Sequence, residues 1–365
     1  MKINHILEDY SKLSGGLRTV VKDLNNQLLK NDISSNIITT KAEQEDKVEL
    51  FKRSCYKEVW CYASKLKLYL NTLESNSIFH IHGIWMYPQY IASKIAYQNK
   101  NPYIITSHGM LEPWLWEQGT LKKKLYFNLM IKKYFTHANV LHAITPNEKD
   151  NLHTLFSHPW IEVIPNSICY TKIDAYNIQR QESEKFILFV GRLHPIKGID
   201  LLIKAFSKLK DKKIRLKIAG PLNAYKDELA ALVTSLNVEN RVDFLGMVTG
   251  EKKFQLYKNA WVFVAPSFSE VVGMVNLEAG ILGTPVITTY QTGLYKEWMD
   301  NGGILINPNI DELYNTLSET VEWSEEERNE RGNALKKFII KHYSWEYNLP
   351  KWIELYKDII DAKTK

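Results

Sequence analysis

Phe186-Ile187-Leu188-Phe189-Val190 runs directly into Gly191-Arg192-Leu193-His194-Pro195-Ile196-Lys197-Gly198. Five consecutive apolar residues stopped by a glycine read as a strand buried on both faces, the kind a parallel sheet covered by helices requires. Downstream, apolar runs at 216–219, 242–245, 262–265, 286–288 and 304–306 repeat the pattern, each followed by a helix-like segment. Upstream, runs at 3–7, 36–40, 78–82, 103–106, 140–143 and 162–164 form an earlier series, with helices expected over 17–30 and 121–135. A polar stretch between 166 and 185 separates the two. The 365 residues suit two α/β domains of roughly 150 to 200 residues better than one core.

An apolar fraction of 45% and a charged fraction of 24% are those of a folded globular chain, neither disordered nor fibrous. The first twenty residues lack a basic region leading into an apolar core, and no window reaches the roughly 18 apolar residues of a membrane span. A cytoplasmic protein is the expectation. Cys55, Cys61 and Cys169 show no paired CxxC spacing and are expected to be free thiols. A net charge of +6 is too small to argue for nucleic acid. Its clustering says more: Lys122, Lys123, Lys124, Lys132 and Lys133 interleave with Leu121, Leu125, Phe127, Leu129, Ile131, Tyr134 and Phe135. That pattern fits a basic amphipathic helix, either solvated or resting on an anionic membrane with nearby Trp114 and Trp116.

Open parallel sheets bind ligands beyond the carboxyl ends of their strands, so the loops there are where chemistry is sought. After 186–190, Arg192 offers a bidentate fork and Lys197 a point charge, and the two can converge on one diphosphate. After 262–265 comes Pro266-Ser267-Phe268-Ser269-Glu270-Val271-Val272-Gly273-Met274-Val275-Asn276-Leu277-Glu278. Gly273 would let backbone N–H groups approach a phosphate, and Glu278 is expected to open a helix-like segment ending at Gly283-Thr284-Pro285. By spacing alone, Glu270 and Glu278 fit a helix cap with a surface charge, a hydrolytic carboxylate pair or a nucleotide-sugar site.

The run 269–285 resembles the Glu-x7-Glu signature of the retaining, GT-B-fold glycosyltransferases of family 4, and Arg192 with Lys197 resembles that family's diphosphate-binding pair. Ser14-Gly15-Gly16-Leu17 is similar to its glycine-rich N-terminal loop. Phe79-His80-Ile81-His82-Gly83-Ile84-Trp85 and Thr106-Ser107-His108-Gly109-Met110-Leu111-Glu112-Pro113-Trp114 resemble segments of members that build bacterial surface polysaccharides. One departure is the replacement of the usual Gly-Phe-Gly after the first Glu by Val271-Val272-Gly273.

The resemblance implies a GT-B architecture: two Rossmann-like doubly wound α/β domains facing a cleft, an acceptor-side domain over 1–170 and a nucleotide-sugar domain over 171–345. A terminal helix over 346–365 crosses back to the first. It implies that Glu278 contacts the ribose and Glu270 the transferred sugar, that Arg192 and Lys197 stabilise the leaving diphosphate, and that His108 lies near the sugar. Gly15, Gly16, Val272, Gly273 and Met274 join the donor site, and His82, Trp85 and Trp114 the acceptor side. With no Asp-x-Asp pair in the sequence, no metal and no cofactor are expected. Expected partners are a nucleotide-sugar donor, a glycan or lipid-linked glycan acceptor and an anionic membrane, with no nucleic acid. A nucleotide-sugar epimerase of the same fold and a catalytically silent sugar-nucleotide scaffold remain as rival readings.

Overall fold

In a computed structural model the protein is described over residues 1–54, 60–113, 120–174, 176–181, 184–294 and 296–364. It divides into unit 1, Met1–Ser167 with Trp345–Lys365, and unit 2, Ile168–Ser344. The sequence-based breaks stood at 170/171 and 345/346. The polar stretch between the two series contains a short helix, Tyr170–Asp174.

Unit 1 holds β1 (Lys2–Leu7), β2 (Ser34–Thr39), β3 (Glu49–Leu50), β4 (Ile78–His82), β5 (Tyr103–Thr106), β6 (Val140–Ala143) and β7 (Ile161–Val163). They form one parallel sheet in the order β3-β2-β1-β4-β5-β6-β7. Unit 2 holds β8 (Phe186–Val190), β9 (Arg215–Ala219), β10 (Val242–Gly246), β11 (Val262–Ala265), β12 (Val286–Thr289) and β13 (Ile304–Ile306). These are also parallel, in the order β10-β9-β8-β11-β12-β13. Helices follow the strands because parallel neighbours need a crossover, and covering both faces buries the strands throughout. β4, β8 and β11 are accordingly buried along their full lengths. In each sheet the order reverses once, between β1 and β4 and between β8 and β11, and that reversal opens a crevice for ligands at the strands' carboxyl ends.

Two expectations need correction. The 121–135 segment is not one continuous α-helix: Thr120–Tyr126 and Lys132–Thr136 flank a π-helical stretch, Phe127–Ile131. Phe127, Ile131 and Phe135 are buried in the core, while Leu121, Leu125 and Leu129 are 81%, 58% and 69% exposed. Each set recurs every four residues, a spacing between the 3.6-residue α turn and the wider π turn, so successive α and π stretches keep it near one face. The segment is therefore apolar on two sides. Second, the helix near Glu278 begins at Met274, with Gly273 as its left-handed N-cap (φ 67°), so Glu278 lies inside the helix Met274–Ile281.

The terminal helix, Trp345–Thr364, belongs to unit 1. It lays Trp352 against His142 (ring centroids 4.4 Å apart) and sets the Tyr356 hydroxyl in a hydrogen bond with His80 Nδ1 at 2.8 Å. Cys61 is buried with a free thiol and Cys169 is half-buried, its Sγ 3.6 Å from Thr171 Oγ1; Cys55 lies outside the described residues. Among the described residues, no helix is long and apolar enough to cross a membrane.

Candidate functional site

In unit 2 the loops after β8 and β11, the two strands at the sheet's reversal, bring most of the sequence-derived residues together. The loops are joined by a backbone bond from Phe268 N to Ile196 O (2.8 Å). Gly198 makes that approach possible: it sits at φ 64°, and a Cβ there would stand 2.2 Å from the Pro266 carbonyl oxygen. Only glycine tolerates both the left-handed backbone and the contact. The closeness of the loops brings Lys197 Nζ onto Glu270 Oε2 in a partly buried ion pair. Arg192 remains exposed on the same loop, with no partner among the described residues.

Beyond Glu270 the chain is pinned by Glu270 N to Gln291 O (3.3 Å) and Gly293 N to Val271 O (2.6 Å). Val272 turns its side chain into the core, 1% exposed, so the donor contact expected of it is available only to its backbone. The helix beginning at Met274 has no side-chain cap and no acidic residue in its first turn. Asn276 N donates to Gly273 O at 2.8 Å, and the amides ahead of it, those of Met274 and Val275, are placed to receive an anion. Glu278, one turn along, accepts from Lys253 Nζ (2.8 Å) and from the buried Tyr257 hydroxyl (2.9 Å), one on each oxygen. Burial and the facing carboxylate raise the Tyr257 pKa well above its ordinary value, so it acts as a donor. Each oxygen keeps a lone pair for a further hydroxyl.

In unit 1, Gly15 (φ 62°) caps the helix Gly16–Lys30, and open space surrounds both Gly15 and Gly16. His108 is half-buried just past β5, left-handed at φ 52° and followed by Gly109 at φ 73°. Two successive left-handed residues are held open by Glu148, a fully enclosed carboxylate. Its Oε1 accepts from Ser107 Oγ and from Gly109 N (2.7 Å), and its Oε2 from Ile144 N (2.7 Å). Burial raises the Glu148 pKa and these hydrogen bonds pull it back.

His82 is buried rather than presented to an acceptor, which corrects its expected role. Its Nδ1 meets His108 Nε2 at 3.0 Å and its Nε2 meets His5 Nδ1 at 3.0 Å. Burial lowers the pKa of His5 and of His108 to about 3, so both imidazoles are neutral at neutral pH. Trp85 is half-buried beside Tyr126, 6.2 Å between ring centroids. Trp114 and Trp116 lie outside the described residues.

Among the described residues, His5, His80 and His82 have ring nitrogens within 4.8 Å of one another, close enough for a shared metal ion. Both nitrogens of His80 and of His82 are already engaged in hydrogen bonds. A metal would have to displace them.

Sequence reasoning missed Glu148, Lys253, Tyr257 and His5. Glu148 carried a signal: Thr145-Pro146-Asn147-Glu148 has capping-box spacing, and Thr145 Oγ1 does accept from Glu148 N at 3.1 Å. His5 is a polar residue inside a strand buried on both faces. Lys253 and Tyr257 reach Glu278 from the helix Gly250–Asn259, a contact with no local signature.

Residues 14–170 match the family described as Glycosyltransferase Family 4, and residues 173–338 match Glycosyl transferases group 1. An uncharacterized glycosyltransferase of Methanocaldococcus jannaschii is 27% identical over 98% of both chains. The O-antigen chain mannosyltransferase RfbU of Salmonella typhimurium is 27% identical over 60% of each. Among solved structures, Anabaena HepE in complex with UDP-glucose superposes with a TM-score of 0.75 at 17% identity, covering 100% of this chain and 99% of that one.

Proposed function

Because this chain belongs to the family 4 glycosyltransferases and has their GT-B fold, we propose that it is a retaining hexosyltransferase, taking sugar from a nucleoside diphosphate-sugar to a glycan or lipid-linked glycan acceptor. Assembly of a bacterial surface polysaccharide is the setting that best fits its likeness to the O-antigen mannosyltransferase. The observation that carries the reading is the grouping at the unit 2 reversal: Arg192 with no partner among the described residues, the Lys197–Glu270 pair and an uncapped helix start.

A diphosphate in that crevice draws Lys197 away from Glu270, exchanging a carboxylate partner for a phosphoryl one. Glu270 is then free to accept from hydroxyls of the transferred sugar, and Glu278 from those of the ribose. As the bond from the anomeric carbon to the diphosphate breaks, charge accumulates on the leaving oxygen, and Arg192, Lys197 and the helix amides stabilise it. The acceptor oxygen attacks from the same face, its proton passing to the departing phosphoryl oxygen. Two side-chain cations and a helix terminus supply the charge a metal would otherwise carry, so metal independence belongs to the proposal.

A thermal-shift series with UDP-, GDP-, ADP- and dTDP-sugars is expected to show one selective stabiliser, unaffected by EDTA. At 100 times its Kd such a ligand adds about 2.7 kcal/mol of apparent stability. A folded sample that responds to none of them overturns the reading.

Membrane contact is the second part of the proposal, supported by the exposed Leu121, Leu125 and Leu129 beside the exposed Lys122, Lys124 and Lys132. An apolar stripe flanked by cations matches an anionic bilayer surface. Each lysine near such a surface is worth about 1 kcal/mol. Replacing these three by glutamine should therefore weaken flotation with anionic vesicles about 100-fold. Equal flotation of the variant and the parent protein refutes it.

A further inference from the structure

Five buried or half-buried histidines sit on or beside the unit 1 sheet in two hydrogen-bonded chains, and their ends determine which nitrogen of each ring carries hydrogen. In the first chain the direction is forced. His142 Nε2 faces the Ile164 carbonyl oxygen at 2.8 Å, an acceptor only, so His142 donates from Nε2 and its Nδ1 must accept. Thr106 Oγ1 donates to that Nδ1 (2.9 Å) and accepts from His80 Nε2 (2.8 Å), and His80 Nδ1 accepts from Tyr356 (2.8 Å). His80 and His142 are thus both Nε2–H.

The second chain runs from His5 through His82 to His108, each contact 3.0 Å long. Its inner end, His5 Nε2, is fully buried with no partner among the described residues. A neutral chain has two arrangements. In one, His108 donates inward and the last hydrogen is stranded on His5 Nε2. In the other, His5 donates from Nδ1 to His82, His82 donates from Nδ1 to His108 Nε2, and His5 Nε2 ends as a bare lone pair. A buried N–H without an acceptor is the rarer and costlier of the two ends. Which ring nitrogen is protonated is set by the bond the other makes.

We propose that His82 and His5 are positioning residues that hold His108 in its Nδ1–H form, against the Nε2–H form a free imidazole prefers. His108 then offers its Nδ1, which has no partner among the described residues, as a hydrogen-bond donor suited to a sugar or phosphoryl oxygen, and is not a general base there. That ligand class rests on the proposed transferase activity; the tautomer itself does not, and it is read with no donor or acceptor present.

The experiment is a long-range 1H–15N correlation spectrum of the full chain labelled with 15N-histidine, the His108 signals assigned by their loss in His108→Gln. A protonated ring nitrogen resonates far upfield of a bare one. The expected spectrum shows His5, His82 and His108 protonated at Nδ1, and His80 and His142 protonated at Nε2 in the same sample. His108 protonated at Nε2 in the parent protein overturns the proposal. His82→Leu removes the donor and is expected to move His108 to Nε2–H, whereas His82→Asn keeps an N–H in the same place and is expected to leave it Nδ1–H. An unchanged His108 in a folded His82→Leu protein also overturns it. If those variants fail to fold, the 15N–15N-coupled His82–His108 pair decides in the parent protein: the hydrogen on His82 Nδ1 supports the relay, and the hydrogen on His108 Nε2 or no coupling at all refutes it.

Discussion

Between pH 7 and pH 5, unit 1 is expected to lose on the order of 6 kcal/mol of stability through His5, His108 and His142, a large part of the roughly 5–15 kcal/mol that holds an ordinary domain folded. Burial lowers the pKa of His5 and His108 to about 3 and of His142 to about 4, and holds those of His80 and His82 well below their ordinary value. In the unfolded chain these imidazoles titrate near 6.5. A folded pKa below the unfolded one means that the unfolded state takes up protons first, so stability falls as the pH drops from about 6.5 toward the folded values. From pH 7 to pH 5 each of His5, His108 and His142 contributes about 1.9 kcal/mol of that loss, and His80 and His82 act in the same direction.

Three carboxyls in the same unit act in the opposite sense. Burial raises the pKa of Glu8, Glu112 and Glu148, so the folded state holds their protons more tightly, and they offset part of the loss as the pH falls. The net slope between pH 7 and pH 5 is expected to keep the sign set by the histidines. Melting temperature recorded from pH 7.5 to pH 4.5, with hydrogen exchange followed by mass spectrometry to separate the units, should show unit 1 opening first. Replacing His142 by Asn is expected to flatten the slope by about one proton, or about 1.4 kcal/mol per pH unit. A melting temperature that stays level down to pH 5 removes the argument.

The same histidines show where sequence reading stops. The strands at 78–82, 103–106, 140–143, 186–190, 262–265 and 304–306 were legible residue for residue, because an apolar run bounded by polar residues is a local signal. β3 was missed: Glu49 and Leu50 are two exposed residues that become a strand only by pairing with Ile38 and Thr39. The 127–131 π turn escaped for a related reason, since an α and a π reading of the same residues differ in which face packs against the core. The donor-side residues were legible because each follows a strong strand, and a topology with one reversal gathers such loops. What stayed hidden depends on contacts distant in sequence: Lys253 and Tyr257 on Glu278, Glu148 under the His108 loop, and His5 behind His82. In a single chain those residues look like ordinary helix and strand positions.

Lys197→Ala is expected to lower kcat by about 10²- to 10³-fold, an effect of roughly 3–4 kcal/mol, the size seen when one preorganised transition-state donor is removed from a water-poor site. Part of the argument concerns what remains. Lys197 and Glu270 are partners, with side chains 17% and 24% exposed, so removing the cation leaves a partly buried carboxylate facing the diphosphate. Donor affinity should therefore fall together with kcat. Arg192→Ala removes an exposed fork with no such partner, so its cost should be smaller and confined to the diphosphate. Both cations are taken to act on one leaving group, and the double variant should lose less than the sum of the single losses. Glu278→Gln is the contrasting case: it keeps an oxygen for Tyr257 or the ribose but gives up the charge that pairs Lys253, so it should weaken donor binding more than turnover. Single-turnover rates with saturating donor, beside donor Kd values for each variant, separate these effects. A folded Lys197→Ala protein whose kcat stays within tenfold of the parent would mean that the leaving diphosphate is stabilised elsewhere, and the roles given to Arg192 and Glu270 would fall with it.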